Sequence, residues 1–490
     1  MLSALRRIAS VLGKEKPVSL LPAPTKVSSL RERISSLFRR LTPTERQRLL
    51  VLTLLSGGLC GLAAVAFHVG IAKAEGLLIE RALAAPHHQW IFLGILIPAL
   101  GGLTVGLCLH YLVPGAVGSG IPQVKYAYAT HSGLVPLRDA IGKFCLGILQ
   151  IGSGASLGRE GPTVQICAGV ASFLSRRAGI SLQGQRRMCA VGVAAGIAAA
   201  FNAPIAAVTF TLEEIVGDLD QTMLSGIIVA AAVAAAVERG ILGQHPVFEL
   251  SRSYSLGSAK ELLFYAVLGL LAAVVSVAFT DSLLGLRARF KRFSIVPKWV
   301  HPAIGGALTG GLAVAGLLWL RLDGINGGGY RTLSLALAGS LPMKAMAVLC
   351  ILKLAATVCS YSSGGAGGIF APALFIGGML GGAVGYVDVY LLHNSSDSVG
   401  AFALVGMGAV FAGIVRAPMT SVLIIFEMTS GYGLVLPLMI ANMSAYALAR
   451  HWRHTPVYEA LLLQDGVGLP HGKPLAMPAS QEPLPGEVPP

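Results

Sequence analysis

The strongest constraint on the fold is a series of long stretches without a charged side chain. The chain has 490 residues, of which 12% are charged, about half the share that soluble globular proteins carry. A helix needs about 20 apolar residues to cross a bilayer core of ~30 Å. The stretches without Asp, Glu, Lys or Arg are 51–72, 82–124, 188–212, 262–280, 300–320, 354–387 and 428–449. They predict an all-α polytopic membrane protein. They exclude a soluble enzyme, a disulfide-rich secreted module and a membrane β-barrel, whose strands alternate in polarity.

The positive charge of the chain is concentrated ahead of the first apolar stretch. The formal net charge is +14, and residues 1–50 hold eleven Lys and Arg against three Glu. This positive-inside pattern predicts a cytoplasmic N-terminus rather than a nucleic-acid partner. We expect a basic cytoplasmic segment over 1–48, a transmembrane domain over 49–463, and a Pro-rich, disordered cytoplasmic tail over 464–490.

The transmembrane domain contains an internal repeat. Segments 191–213 and 405–427 share Val-Gly at the start, Ala-Pro in the middle and Glu at the end, at an offset of 214. The motifs GREGP and GIFAP, which start at Gly158 and Gly368, form a second pair at an offset of 210. We expect two halves, about 49–240 and 262–463. Duplicated membrane halves are typical of transporters whose site lies where broken helices meet at the midplane.

Glycine clusters inside apolar sequence predict helices that begin within the membrane. The chain has 61 glycines, with clusters at 118–122 (GSGIP), 152–162 (GSGASLGREGP), 324–330 (GINGGGY) and 362–372 (SSGGAGGIFAP). Glycines followed by proline mark a loop that opens a new helix. Helix N-termini carry unpaired N–H groups and about half a positive charge. Three such starts can therefore hold a dehydrated anion, with Ser119 as a neutral hydroxyl donor. Close helix packing explains Gly57-Gly58 and Gly101-Gly102 instead.

Glu160 is a functional candidate because a charge at the centre of a membrane helix costs roughly 2.5–3.5 kcal/mol. It opens a helix in the GREGP motif. Ionised, its carboxylate can occupy an anion site, and protonated, it leaves that site free. One residue would then link proton and anion binding. The alternative is an N-terminal cap paired with Arg159.

A second carboxylate pair, Glu213 and Glu214, ends the charge-free stretch 188–212. Adjacent helical residues point about 100° apart, so only one of them can face an internal aqueous path. Glu427 is the repeat partner of Glu213, which predicts a shared structural role for those two. Glu214 has no such partner and is the candidate for proton transfer. A position for both at the lipid headgroups is the alternative.

Other chemistry is weakly supported. Residues 154–158 (GASLG) match the GxSxG pattern of serine hydrolases, with Ser156 as nucleophile. That pattern needs a strand–turn–helix setting and a histidine partner, and neither is evident in this apolar sequence. The seven cysteines form no CxxC pair. We therefore expect small buried apolar cysteines, no disulfide, no metal, no cofactor and no enzymatic activity.

The motifs resemble the CLC family of chloride channels and chloride/proton antiporters, in its prokaryotic form without C-terminal CBS domains. The resemblance covers about 50–463. It rests on GSGIP (118–122), GREGP (158–162), FNAP with LEE (201–204 and 212–214), SSGGAGGIFAP (362–372) and TPVYEALL (455–462). It implies an inverted-repeat fold of up to 18 helices of uneven length, several broken at the midplane. It also implies a homodimer, in the bacterial inner membrane, with both termini cytoplasmic.

The resemblance implies a role for individual residues. The implied chloride-binding residues are Ser119, Gly120, Ile369, Phe370 and Tyr458, with hydroxyls from Ser119 and Tyr458 and backbone N–H groups from Ile369 and Phe370. Glu160 corresponds to the external gating glutamate, and Glu214 to the internal proton-transfer glutamate. The implied function is secondary active exchange of chloride, or another small anion, for protons. The alternative is a passive voltage- or pH-dependent chloride channel of the same fold.

Overall fold

In a computed structural model of the chain, the regular structure consists of helices in two successive sets. The structure describes residues 44–217, 221–243, 247–248, 254, 256, 260–392, 398–429 and 431–469. The first set is α1 (Glu45–Glu75), which continues to Leu83 through π-helical Gly76–Glu80, then α2 (Gln89–Tyr111), α3 (Ile121–Thr130), α4 (Leu137–Gly152), α5 (Glu160–Arg177), α6 (Leu182–Phe201), α7 (Pro204–Phe210, followed by π-helical Thr211–Val216) and α8 (Gln221–Leu242). The second set is α9 (Glu261–Arg292), α10 (His301–Leu320), α11 (Tyr330–Leu337), α12 (Met343–Ser362), α13 (Phe370–Leu392), α14 (Ser398–Val415), α15 (Pro418–Thr429), α16 (Val435–Trp452) and a final helix, α17 (Val457–Gln464).

The predicted polytopic membrane fold is confirmed. Eight helices in the described part of the chain are long and apolar enough to cross a membrane: Glu45–Leu83, Gln89–Tyr111, Met223–Leu242, Glu261–Arg292, Lys298–Leu320, Met343–Ser362, Phe370–Leu391 and Ser398–Val415. Large apolar side chains such as Leu263 and Ile351 are each 69% exposed on the outer surface. The protein is therefore a multi-pass integral membrane protein whose outer faces suit lipid.

The two sets of helices correspond one to one. Helices α1–α8 match α9–α16 in order and approximate length, and α17 has no counterpart. The predicted limits of the two halves, about 240 and 262, lie close to the end of α8 and the start of α9. Most of the predicted basic segment and of the Pro-rich tail, residues 1–43 and 470–490, lies outside the described residues.

The glycine clusters begin helices, as their sequence predicts. α3, α5, α11 and α13 each start within one of them, directly after its glycines or within two residues of its end. Gly120, at the start of α3, has φ +98°, and a Cβ there would lie 2.8 Å from the carbonyl oxygen of Gly161. Any other residue would strain the backbone and also separate the two loops. The starts of α3 and α5 are therefore in close backbone contact.

Elsewhere, glycine lets helices cross in contact. A Cβ at Gly102 of α2 would overlap the carbonyl of Pro302, and a Cβ at Gly306 of α10 would overlap the carbonyl of Pro98. The two contacts are equivalent in the two halves of the chain, and both join α2 to α10. Gly57 packs against α8 in the same way, as predicted. The prediction is wrong for Gly58, because nothing lies within 4 Å of its Cβ position.

Helix α14 and its repeat counterpart α6 are buried along most of their length. Almost every residue of α14 is buried, and its Gly406 lies against Gly377 of α13. The expectation of buried cysteines is only partly correct. Cys60, Cys167, Cys189 and Cys350 are buried, but Cys145 is exposed, because it lies on the outward face of α4. All seven are free thiols.

We expect Gly306→Ala to destabilise the protein, because its methyl group must displace the Pro98 carbonyl. Overpacking of this kind costs about 1–3 kcal/mol. Gly311→Ala is the matched control on α10, since nothing lies within 4 Å of its Cβ position. Thermal unfolding of detergent-purified protein should show a lower midpoint for Gly306→Ala alone. Equal midpoints would contradict close packing of α2 on α10.

Candidate functional site

Three glycine-rich loops meet at the centre of the described structure. The loop before α3 pairs with the loop before α13, through Gly118 N to Gly365 O (3.0 Å) and Gly367 N to Gly118 O (3.2 Å). The loop before α5 joins the same strand-like segment through Gly158 and Gly368. The N-termini of α3, α5 and α13 therefore converge, and the first-turn N–H groups that no intrahelical carbonyl can satisfy lie close together.

Gly158 and Gly368 are repeat partners, and they exchange a reciprocal pair of hydrogen bonds. Gly158 N donates to Gly368 O (2.7 Å), and Gly368 N donates to Gly158 O (2.8 Å). The pairing is antiparallel. Equivalent residues that bond reciprocally in this way are related by a local two-fold axis. The two halves of the chain thus meet at this point.

Two fully buried lysines hold the loops in place. Lys143 on α4 donates to the Gly118 carbonyl at 2.6 Å. Lys353 on α12 donates to the carbonyls of Gly324, Ile325 and Gly327 at 2.7–3.0 Å. Neither side chain is exposed. Their ammonium groups satisfy carbonyls of non-helical backbone inside the apolar body, so the loops keep one geometry.

Sequence reasoning missed both lysines, although a signal was present. Lys143 and Lys353 are separated by 210 positions, the same offset that relates the GREGP and GIFAP motifs. The loops that they hold are also equivalent. One loop precedes α3 and carries Ser119, and the other precedes α11 and ends at Tyr330.

The residues predicted to bind an anion lie around this junction. Ser119, Tyr458, Ile369 and Phe370 are all fully buried. The side chains of Ser119 and Tyr458 lie close together, but neither hydroxyl makes a hydrogen bond of normal geometry within the described residues. A buried hydroxyl without a partner is costly, so this pair is suited to a ligand.

Aromatic rings and backbone complete the junction. The Phe370 ring packs on Phe201 (4.7 Å between centroids) and Phe411 (4.2 Å). Gly120 supplies the backbone turn before α3, but its N–H is not free to bind an anion, because it donates to Gln123 Oε1 at 3.0 Å. Gln123 also donates to the Val117 carbonyl at 3.0 Å, so it fixes the loop that carries Ser119.

Glu160 lies at the first position of α5, fully buried. One carboxylate oxygen accepts a hydrogen bond from Ala371 N at 3.3 Å, and the other accepts one from the Tyr330 hydroxyl. The proposed cap paired with Arg159 is therefore wrong, because the carboxylate reaches the start of α13 instead of its own helix. Arg159 lies over the Tyr330 ring at 5.3 Å and donates to the Ala200 carbonyl.

Glu213 and Glu427 cap each other's helices, as the repeat predicts. Glu213 accepts hydrogen bonds from Met419 N (3.1 Å) and Thr420 N (2.8 Å) at the start of α15. Glu427 at the end of α15 accepts from Ile205 N (3.0 Å) and Ala206 N (2.7 Å) at the start of α7. Each carboxylate satisfies two orphan N–H groups. Their role is structural.

Glu214 points elsewhere and is buried, with a side chain only 5% exposed. Lys125 on α3 contacts it at 2.8 Å and also contacts Glu459 on α17 at 3.2 Å. Sequence reasoning missed Lys125 and Glu459. A lysine in an apolar helix, three residues after the GSGIP motif, was the available signal for the first. Nothing in the sequence joins it to Glu459, which lies 334 positions away.

Two separate cavities approach these residues. One, of about 750 Å³, reaches Gly118 and Tyr361, and its wall carries Arg287, Lys291 and Lys298 together with Asp465, which pairs with the first two. The other, of about 250 Å³, is lined by Glu459 and His454. Ser119 and Tyr458 are not among the lining residues of either cavity. The larger cavity therefore has an excess of positive charge and the smaller one carries a carboxylate, and charge in a cavity attracts the opposite ion.

The other chemical candidates do not form sites. Ser156 of the GxSxG pattern contacts the Thr357 hydroxyl at 3.0 Å, and its N–H donates to Ser360 Oγ at 3.0 Å. It is buried in a hydroxyl cluster, and its hydrogen-bond partners do not include a histidine. Within the described ranges, no three His, Cys, Asp or Glu side chains are grouped to hold a metal ion.

Known proteins similar to this chain are ion transporters and channels. A family profile described as "Voltage gated chloride channel" matches residues 101–450. The chain is 32% identical over 446 residues to the H(+)/Cl(-) exchange transporter ClcA of Salmonella arizonae, covering 88% of this chain and 92% of that protein. It is 31% identical over 437 residues to ClcA of Salmonella typhimurium, covering 86% and 90%.

Solved structures have the same fold. A slow cyanobacterial Cl-/H+ antiporter matches with a TM-score of 0.78 and 26% identity, over 85% of this chain and 98% of that one. A eukaryotic CLC transporter matches with a TM-score of 0.70 and 21% identity, over 85% and 74%. At 21% identity, the eukaryotic transporter shows a similar fold and nothing further.

We expect Glu213→Ala and Glu427→Ala to reduce stability by similar amounts, about 1–2 kcal/mol each, because each variant uncaps one helix of a reciprocal pair. Asp465→Asn is the control, since this carboxylate is 38% exposed and surface ion pairs contribute ~0–1 kcal/mol. Thermal unfolding in detergent measures the difference. Unchanged midpoints in both Glu variants would contradict the capping role.

Proposed function

The chain belongs to the voltage gated chloride channel (CLC) family, and we propose that it exchanges chloride for protons across a membrane. The observation that carries this proposal is the convergence of three helix N-termini on a buried junction with two unpartnered hydroxyls, Ser119 and Tyr458. The relatives named above that are at least 30% identical to this chain are called H(+)/Cl(-) exchange transporters. It is a transporter and not an enzyme.

Chloride binds, in this proposal, where helix dipoles and neutral donors coincide. Ser119 and Tyr458 donate hydroxyls, and Ile369 and Phe370 donate backbone N–H groups at the start of α13, with Gly120 shaping the turn. Partial charges replace the ion's hydration shell without the strong attraction of a full cation, which allows release. The buried Lys143 is engaged by the Gly118 carbonyl, so its charge supports the loop that carries Ser119.

Glu160 acts as the external gate. Its carboxylate accepts a hydrogen bond at the start of α13, where it competes with a transported anion for the same N–H groups. Protonation removes the negative charge and weakens this hold, so the side chain leaves and the anion enters. The Tyr330 hydroxyl favours the ionised, bound carboxylate because it donates to it.

Glu214 serves as the internal proton-transfer group. It is buried, and the smaller cavity approaches Glu459, to which Lys125 joins it. Anion and proton therefore share the region near Glu160 and use different cavities on the other side. A buried, titratable Glu214 with its own access favours exchange over the alternative, a passive chloride channel of the same fold.

The assembly and location belong to the same proposal. The excess of Lys and Arg in residues 1–50 supports a cytoplasmic N-terminus, and we extend this to the C-terminus. We further propose a homodimer in a bacterial inner membrane, with chloride or another small anion and protons as the transported ions.

Proton flux in chloride-loaded liposomes tests the exchange directly. Purified protein is reconstituted in vesicles with high internal chloride, with valinomycin and potassium to carry compensating charge. Chloride leaving the vesicles should drive proton uptake, seen as a rise in external pH that a protonophore abolishes. Chloride efflux without proton uptake would establish the channel. Absence of both fluxes would contradict chloride transport.

We expect Glu160→Gln to abolish proton uptake and to make chloride flux independent of pH, because the gate no longer titrates. Tyr330→Phe should instead retain proton coupling and raise chloride turnover by about tenfold or more, since a hydrogen bond to a charged group contributes about 1.5–3 kcal/mol and about 1.4 kcal/mol is a factor of ten. Both are measured as chloride efflux with simultaneous pH recording. Proton pumping by Glu160→Gln, or unaltered turnover in Tyr330→Phe, would remove that residue from the gate.

A further inference from the structure

One cation is shared by two carboxylates on the internal side of the candidate site. Lys125 Nζ lies 2.8 Å from Glu214 Oε1 and 3.2 Å from Glu459 Oε1. The side chains come from three separate elements: α3, the π-helical segment after α7, and α17. Their exposure increases outward, from 5% for Glu214 to 14% for Lys125 and 26% for Glu459. The group therefore forms a line from the buried interior to the smaller cavity.

The triad of Glu214, Lys125 and Glu459 can take up one proton without leaving its cation unpaired. With both carboxylates ionised and the lysine protonated, the triad carries one net negative charge. Taking up one proton makes it neutral, and the ammonium still has an ionised partner. A simple Glu214–Lys125 pair would behave differently, because protonating Glu214 would leave a buried cation unpaired, which is strongly unfavourable.

The geometry also permits transfer between the two carboxylates. Since both oxygens contact the same Nζ at 2.8 and 3.2 Å, they lie within about 6 Å of each other, a gap that one water molecule bridges. Glu459 lines the cavity of about 250 Å³ together with His454 and Thr455. A proton arriving in that cavity meets Glu459 before Glu214.

The other charged and titratable groups near the triad are engaged elsewhere or do not contact Lys125, so Glu459 is the candidate for proton uptake. On the same π-helical segment, Glu213 caps α15. On α17, Tyr458 is buried at the anion site. On α6, Arg186 lies over the Tyr128 ring at 4.4 Å. His454 lines the cavity but is not among the groups in contact with Lys125.

We propose that Glu459 takes up protons from this cavity and passes them to Glu214, with Lys125 paired to a carboxylate throughout. A proton binds the Glu459 carboxylate, and the Lys125 ammonium then pairs with the ionised Glu214. The proton next moves through a bridging water to Glu214, and the ammonium pairs with the ionised Glu459. No charge is created or lost in the second step. This inference rests on the proposed exchange and adds a residue to its proton path.

The test compares proton and chloride fluxes of Glu459→Gln in liposomes. We expect the proton-to-chloride ratio to fall ~tenfold or more, as for loss of a positioned proton donor, and to approach the ratio of Glu214→Gln. Chloride flux should stay within about threefold of wild type. Glu459→Asp should regain coupling, since it restores titration. Asp281→Asn, which removes a half-exposed carboxylate that lines neither cavity, should keep the wild-type ratio.

Three other outcomes would count against the proposals. A wild-type proton-to-chloride ratio in Glu459→Gln would overturn the role of Glu459 in proton uptake. So would loss of chloride transport in both Glu459→Gln and Glu459→Asp, because it would assign the residue to holding α17 and Tyr458. A wild-type protein that moves chloride without protons would instead contradict the proposed exchange, and this measurement comes first.

Discussion

The structure depends on how irregular backbone is satisfied far from water. Glycine loops before α3, α5, α11 and α13 interrupt apolar sequence, where every unpaired N–H or C=O is costly. The loops solve this by bonding to each other, as at Gly158 and Gly368, and by accepting from two buried lysines. Once those groups are satisfied, the N–H groups that stay free are those of helix starts. The same constraint that shapes the fold thus leaves a concentrated positive potential for an anion.

Residues that are equivalent in the two repeats hold the fold, and residues that differ between the repeats are the ones that face the candidate site. Lys143 and Lys353 hold equivalent loops, but one loop presents Ser119 and the other presents Tyr330 against Glu160. Glu213 and Glu427 are equivalent in position and in contacts. Glu214 has no acidic counterpart, because Met428 stands at the corresponding place. Symmetric residues stabilise the body, while the asymmetric ones are those to which we assign ion handling.

Separate access for two ions follows from charge placement. The larger cavity carries Arg287, Lys291 and Lys298, and the smaller one carries Glu459. In a low-dielectric body, such charges decide which ion a cavity concentrates. Under the proposed exchange, this keeps protons and chloride apart on one side of the protein, while both act near Glu160. In that proposal, coupling depends on the titration of Glu160 and Glu214.

The sequence by itself determined the membrane fold, the repeat, the helix starts and the candidates Ser119, Glu160 and Glu214. Apolar length, glycine–proline loops and repeat offsets are local or periodic patterns, and these set where helices begin. The offset of 210 also relates Lys143 to Lys353. Only the tertiary structure decided that Glu160 contacts Tyr330, 170 positions away, and that Lys125 joins Glu214 to Glu459. Such contacts depend on which helix faces meet, and a continuously apolar chain carries little periodicity to specify that pairing.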